Sequence, residues 1–334
     1  MTAAPSPHMT ELVLGLPDQL RWGLDLEAVE LAPADHVVVI GMGGSGMAGR
    51  VAALLAAESQ ALVEVHQDYD LPGWAVSKRA LVVGVSYSGN TAETLAGLEQ
   101  ALASGLSVAA VSTGGAVAAH AAAAGFPQGE VPAGHQPRAA LGYQVAATAA
   151  VLRGAAAVAD PRSDLAAAAD VVDRLLDGGE GTGWQLATDL AEALVDRLPL
   201  IIGGQGPASI AAGRWATQLH ENAKRPAFAA TIPEMNHNLF EALAGTVPAP
   251  GRLGIVGLFD PAGSSANDRR IRLTLDRLGP EVARSGEVVA QGAGALERVF
   301  SLIAVGDVAS VALAERLGVD PVAVDALEAF KRSL

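Results

Sequence analysis

The strongest constraint on the fold is a strand–loop–helix pattern that recurs along the chain. HVVVIG (36–41), ALVEVH (61–66), ALVVGVS (80–86) and LSVAAVS (106–112) are short apolar runs rich in Val. Each is followed by Gly, Ser or Asp, and Ala/Leu-rich helical segments lie between them. Near-continuous apolar runs suit strands of a parallel sheet covered on both faces. A long helical stretch (136–159) leads out of this unit. A connecting helix with a Gly-rich end (159–183) follows. LPLIIGG (198–204), PAFAATIP (226–233), RLGIVGLF (252–259) and GEVVAQ (286–291) are the strands of a second unit.

The two halves share a signature. VVVIGMGGSGMAGRVAA and LPLIIGGQGPASIAAGRWAT both run strand, Gly-rich loop, helix, with a Gly-Arg in the helix. This reads as an internal repeat whose second loop is degenerate. At 334 residues the chain is long for one core. The expected architecture is α/β, doubly wound and flavodoxin-like: two mainly parallel sheets flanked by helices, over 1–155 and 156–334. At the C-terminus, Asp320 as N-cap and Pro321 as first helical residue predict a helix whose apolar positions 324, 327 and 330 share one face.

Composition excludes several function classes. The net charge is −14 with no basic cluster, which argues against nucleic acid, where phosphate contacts supply most of the affinity. No apolar run is long enough to span a membrane, and the N-terminus lacks signal-peptide character, so a cytoplasmic protein is expected. There is no cysteine, and no His-x-His or His-x-x-x-His spacing, so no metal is expected. Only three lysines stand against 19 arginines, which makes their positions worth noting.

Gly41, Gly43 and Gly46 match the G-x-G-x-x-G dinucleotide fingerprint, and Glu64 stands about where a ribose-binding acid belongs. A nicotinamide-dependent oxidoreductase is therefore one reading, and a plain tight turn is another. The same loop, however, sets the hydroxyl of Ser45 beside the amides of Gly43 and Gly44. VSYSGNTAETL (85–95) then places Ser86, Ser88 and Thr91 just before a helix. Three hydroxyls with amides at a helix N-terminus can cradle a phosphate monoester without a lysine. A Ser/Asn turn with an ordinary cap reads from the same letters.

GMGGSG, SYSGNTAETL and PRAALGY together resemble the sugar isomerase (SIS) domain. ENAKRPAFAATIPEMNHNLFEAL and SLIAVGDVASVALAERLGVDPVAVDALEAFK narrow the resemblance to the bifunctional phosphoglucose/phosphomannose isomerase family, which has two SIS domains. The five motifs occur in order and cover the chain from about residue 15 to its C-terminus. The resemblance implies isomerisation of fructose 6-phosphate to glucose 6-phosphate, mannose 6-phosphate or both, with neither metal nor cofactor. It implies that Gly43, Gly44 and Ser45 contact sugar hydroxyls and that Ser86, Ser88 and Thr91 hold the 6-phosphate. Arg138 would stabilise the enediol(ate), and Glu221 would be the base. His237 and Lys331 would assist ring opening. It further implies a homodimer whose histidine reaches the site from the partner subunit.

This chain departs from the family at one position. Where a threonine commonly stands seven residues before the final lysine, there is Val324, so epimer specificity is the least transferable property. A phosphosugar-binding regulator without strong activity is the alternative left open by that change. The chemistry itself suits the residues: a carboxylate can shuttle a proton between C1 and C2, and a guanidinium can stabilise the developing oxyanion.

Overall fold

The computed structural model describes residues 9–245, 252–279 and 282–333. In its first half the helices are α1 (Met9–Leu14), α2 (Leu16–Trp22), α3 (Gly43–Ala53), α4 (Gly73–Ser77), α5 (Ala92–Ala103), α6 (Gly115–Ala124) and α7 (Leu141–Gly154). Then come α8 (Arg162–Leu176), α9 (Thr182–Leu194), α10 (Pro207–Glu221), α11 (Leu239–Ala244), α12 (Ser265–Leu275), α13 (Ala295–Leu317) and α14 (Asp325–Lys331). Two compact units form. One holds Gly15–Asp170 and Gly294–Glu297; the other holds the described residues of Met1–Leu14, Val171–Ala293 and Arg298–Leu334.

The first unit is a five-stranded sheet of β1 (His36–Ile40), β2 (Leu62–His66), β3 (Leu81–Val85), β4 (Val108–Ser112) and β5 (Gln128–Glu130). Its order is β2-β1-β3-β4-β5, and every pairing is parallel. The all-apolar runs become the central strands for a simple reason. Side chains alternate between faces, and both faces are buried. Val37 and Val39 pack with Val83, Val85, Ala147 and Val151, beneath α3 and α7. Val38 and Ile40 pack with Val82, Leu98 and Val117, beneath α5 and α6.

The second unit repeats this plan. Its strands are β6 (Leu198–Gly204), β7 (Phe228–Ile232), β8 (Leu253–Phe259) and β9 (Val282–Val289), in the order β7-β6-β8-β9, again all parallel. That is the β2-β1-β3-β4 order of the first unit. The two parallel-sheet units flanked by helices are the expected architecture.

Several local expectations are corrected. The stretch 136–159 is a 3-10 turn at Pro137–Ala139 followed by α7. The connecting helix with its Gly-rich end, by contrast, is present: α8 ends at Leu176, and Gly178 and Gly179 follow with φ of 62° and 103°. The last strand begins at Val282, four residues before the expected start. The C-terminal helix does not begin at Asp320–Pro321. Asp320 Oδ1 instead accepts from the Val322 amide at 2.8 Å, and α14 starts at Asp325. Leu327 and Phe330 remain 41% and 62% exposed on it. No helix among the described residues is long and apolar enough to cross a membrane.

Candidate functional site

In the first unit β1 and β3 are neighbours at the sheet centre, and the chain leaves their ends toward opposite sides of the sheet. The crevice beyond the carboxyl ends of such strands is where α/β sheets bind ligands. Two loops meet the requirement. After β1 the chain enters α3 at once, through Gly43 (φ 50°) and Gly44. A Cβ on Gly44 would lie 3.0 Å from the Pro137 carbonyl oxygen and 3.3 Å from Arg138 Cα. The loop and the Pro137–Arg138 turn are therefore packed backbone to backbone.

The second loop, Ser86 to Thr91, follows β3 and opens α5. Gly89 (φ 69°) packs so closely that a Cβ would overlap the Gly114 carbonyl oxygen at 1.8 Å. Ser86 Oγ and Thr91 Oγ1 lie 2.8 Å apart and share a hydrogen bond. Ser86 is fully buried and Ser88 is exposed. The Asn90 side chain braces the loop: its Nδ2 donates to the Ser88 carbonyl and its Oδ1 accepts from the Ala116 amide. Thr91 occupies the N-cap of α5 but makes no side-chain capping bond. An ordinary Thr cap is thus ruled out, because its hydroxyl is turned to Ser86 instead. The opening amides of a 12-residue helix, which have no intrahelical acceptor, face the crevice end of the sheet. That arrangement attracts an anion by its local dipole in a chain that is acidic as a whole.

Ser45 is placed differently from expectation. It is buried; its hydroxyl donates to Gln144 Oε1 at 2.7 Å and accepts from the Tyr87 amide at 3.2 Å. Its proton is therefore committed within the protein rather than offered to a sugar hydroxyl. Gln144, which sequence reasoning missed, is fully buried and donates to the Pro137 carbonyl at 2.9 Å. One amide side chain thus ties the Gly43–Ser45 loop to the turn that carries Arg138. Arg138 is itself only 3% exposed. Nearby, burial pushes the Tyr87 phenol up from its ordinary value, against the pull of the His135 amide that donates to it, while Tyr143 adds to the rise. Tyr87 stays protonated and donates to the Pro132 carbonyl at 2.8 Å.

In the second unit α10 begins at Pro207, and its last residue is Glu221. Glu221 and Val324 line one cavity of about 840 Å³, with Lys224, Arg225, Val319 and Leu327 among its walls. His220, beside Glu221, holds the Ala227 carbonyl through Nε2 at 2.8 Å. The structure does not bring His237 or Lys331 to this cavity. His237 is exposed on the 3-10 turn after β7, and Lys331 is exposed at the end of α14. Asn238 caps α11 by accepting from the Leu239 amide, which leaves the His237 ring out of that local bonding. Among the described residues no group of three or more His, Cys, Asp or Glu is arranged to hold a metal ion.

Comparison with known proteins follows the same division. The model of the bacterial phospho-glucose isomerase C-terminal SIS domain matches residues 185–334, and the SIS domain model matches residues 30–124. The chain is 31% identical to a bifunctional phosphoglucose/phosphomannose isomerase of Caldicellulosiruptor bescii, with 98% of each chain covered. It is 32% identical to the protein of the same name from Thermoplasma acidophilum, over 98% of this chain and 97% of that one. Among solved structures, tagatose-6-phosphate ketose/aldose isomerase from Escherichia coli superposes with a TM-score of 0.71 at 14% identity, covering 96% of each chain. At that identity the likeness is one of fold.

Proposed function

The chain belongs to the bifunctional phosphoglucose/phosphomannose isomerase family, and on that premise we propose that it interconverts fructose 6-phosphate with glucose 6-phosphate and mannose 6-phosphate. The observation that supports the reading most is the crevice at β1 and β3. There the Ser86–Thr91 pair and the uncapped start of α5 form a cradle suited to a phosphate monoester.

In the proposed reaction Ser86, Ser88, Thr91 and the α5 amides hold the 6-phosphate. Gly43 and Gly44 present backbone to the sugar. Ser45 shapes that loop through Gln144. His237 and Lys331 assist opening of the hexose ring. Glu221 takes the proton from C1 or C2 and returns it to the neighbouring carbon, which requires one group competent as base and then as acid. Arg138 stabilises the negative charge that develops on the enediolate oxygens. The scheme uses neither a metal ion nor an organic cofactor. Val324, on the same cavity as Glu221, sets the ratio of the two aldose activities. A cytoplasmic homodimer with active sites shared between subunits belongs to the same proposal, and the exposed Leu327 and Phe330 of α14 fit such an interface.

A coupled assay with each hexose 6-phosphate, run in excess EDTA, tests this directly. Turnover of both aldoses in the presence of chelator is expected. Loss of activity with EDTA and its return with a divalent ion contradicts the scheme. Fructose 6-phosphate binding without turnover of either aldose would favour a sugar-phosphate sensor instead.

A further inference from the structure

Lys224 is one of only three lysines in the chain, in a sequence that otherwise uses arginine for its cations. It lies three residues beyond Glu221, with backbone φ of 53°, a left-handed conformation that a side chain other than glycine's rarely adopts. Its ammonium donates to three backbone carbonyls at close range, Glu221 at 2.6 Å, Asp320 at 2.7 Å and Ala323 at 2.6 Å, with the Asn222 carbonyl farther off at 3.5 Å. The Glu221 carbonyl is at the end of α10. Those of Asp320 and Ala323 flank the turn that runs into Val324 and α14. All of these residues belong to the second unit, and Glu221, Lys224, Asp320, Ala323 and Val324 all line the same cavity.

An ammonium has three N–H donors on one atom, so three close carbonyls converging on one point suit it. A guanidinium spreads its donors over a rigid planar fork and does not fit a convergent set. The lysine at this position therefore has a geometric reason that a general Arg bias does not override. A helix C-terminus also favours a cation near its last carbonyls.

We propose that Lys224 is a positioning residue for the isomerase reaction. It staples the end of α10, which carries Glu221, to the 320–324 turn, which carries Val324 and starts α14. In doing so it sets the distance between the proton-transferring carboxylate and Val324 on the wall of the same cavity. This rests on the reading of Glu221 as the base. Nothing in the reaction requires Lys224 to touch substrate; it acts through the two segments that it joins.

Three variants and wild type, each assayed separately with glucose 6-phosphate and mannose 6-phosphate, test the assignment. Lys224→Gly removes the staple and accepts the positive φ, so the backbone is not strained by the change. Lys224→Arg keeps the charge but not the convergence. Glu221→Gln reports on the base itself. For Lys224→Gly and Lys224→Arg the expected result is a fall in kcat of about 100-fold, the scale of an ångström-level misplacement of a reacting group. The ratio of the two aldose activities should change, and the dissociation constant for fructose 6-phosphate should stay near wild type. Methylammonium in the buffer should restore part of the activity of Lys224→Gly and none of that of Lys224→Arg.

Wild-type kcat and wild-type epimer ratio in Lys224→Arg would overturn the proposal. So would a loss in Lys224→Gly that follows the melting temperature, leaves the ratio fixed and ignores methylammonium. If Glu221→Gln is inactive while both Lys224 variants behave as wild type, the positioning role alone fails. If Glu221→Gln turns over normally, the base assignment fails and the positioning role falls with it.

Discussion

Ser86 Oγ and Thr91 Oγ1 meet at 2.8 Å across the loop that joins β3 to α5. One hydroxyl donates to the other, so the pair keeps a single proton to offer outward. The same bond withdraws Thr91 from capping α5. Both consequences favour an anionic ligand over a self-sufficient turn. Thr91→Val should therefore weaken substrate binding more than catalysis. A hydrogen bond to a charged group contributes about 1.5–3 kcal/mol, so KM should rise roughly 10- to 100-fold with kcat little changed. Steady-state kinetics with fructose 6-phosphate check this; an unchanged KM would remove Thr91 from the cradle.

Val324→Thr is expected to raise activity with mannose 6-phosphate relative to glucose 6-phosphate. The two side chains are close in shape, and the new hydroxyl adds a hydrogen-bonding group to the cavity wall beside Glu221. One such bond is worth about 1 kcal/mol, or roughly a fivefold change in the ratio of kcat/KM values. A ratio unaltered by the substitution would show that position 324 does not govern epimer choice.

Arg214 and Asp307 form a buried ion pair between α10 and α13, with 2.6 Å between Arg214 Nη2 and Asp307 Oδ2. Both side chains are about 95% buried. Truncating one partner leaves the other charge without its match in a region of low dielectric, at a cost of about 3–5 kcal/mol. Arg214→Met should show that loss in urea unfolding. Adding Asp307→Leu should recover most of it. A double variant no more stable than Arg214→Met would contradict this account of the pair.

Asp268 gives a pH-dependent test. Burial pushes its carboxyl above the usual range. The Asp260 amide that donates to Oδ1 and the Arg272 charge pull it back, and the Asp260 carboxylate adds to the rise. The folded state therefore holds this proton more tightly than the unfolded chain does. The resulting stabilisation is full below the ordinary carboxylate value of about 3.9 and is lost as pH rises through the folded value. Asp268→Asn keeps an oxygen for the Asp260 amide and cannot titrate. Its melting temperature should fall less than that of wild type as pH is raised through the range just above the ordinary carboxylate value. Equal slopes would contradict the assignment.

The parallel sheets were legible because their central strands are short runs rich in Val or Ile, apolar on both faces and closed by Gly, Ser or Asp, where a buried helix would run longer. Edge and buried extremes were less so. β5 (Gln128–Glu130) is a three-residue polar edge strand with no hydrophobic signature. α13 is buried along most of its length, so it lacks the polar stripe that marks a helix boundary. The start of α14 departs from the sequence expectation for a physical reason. Asp320–Pro321 has the letters of a helix cap, but Asp320 closes a local turn on Val322. Its carbonyl and that of Ala323 are turned to the Lys224 ammonium. A tertiary contact thus outweighed the local signal. At the candidate site the hydroxyl-rich loop was readable from spacing alone. The link from Ser45 to Gln144 was not, although a glutamine among the apolar residues of α7 was a visible cue.

The most direct measurement of the central claim is solvent-deuterium incorporation during isomerisation. Fructose 6-phosphate is incubated in D2O with wild type or Glu221→Gln, and the label at C2 of the aldose product is read by NMR. The account predicts deuterium at C2 with wild type, and loss of both turnover and label in Glu221→Gln, whose fold and fructose 6-phosphate binding persist. Incorporation by Glu221→Gln at the wild-type rate would contradict it.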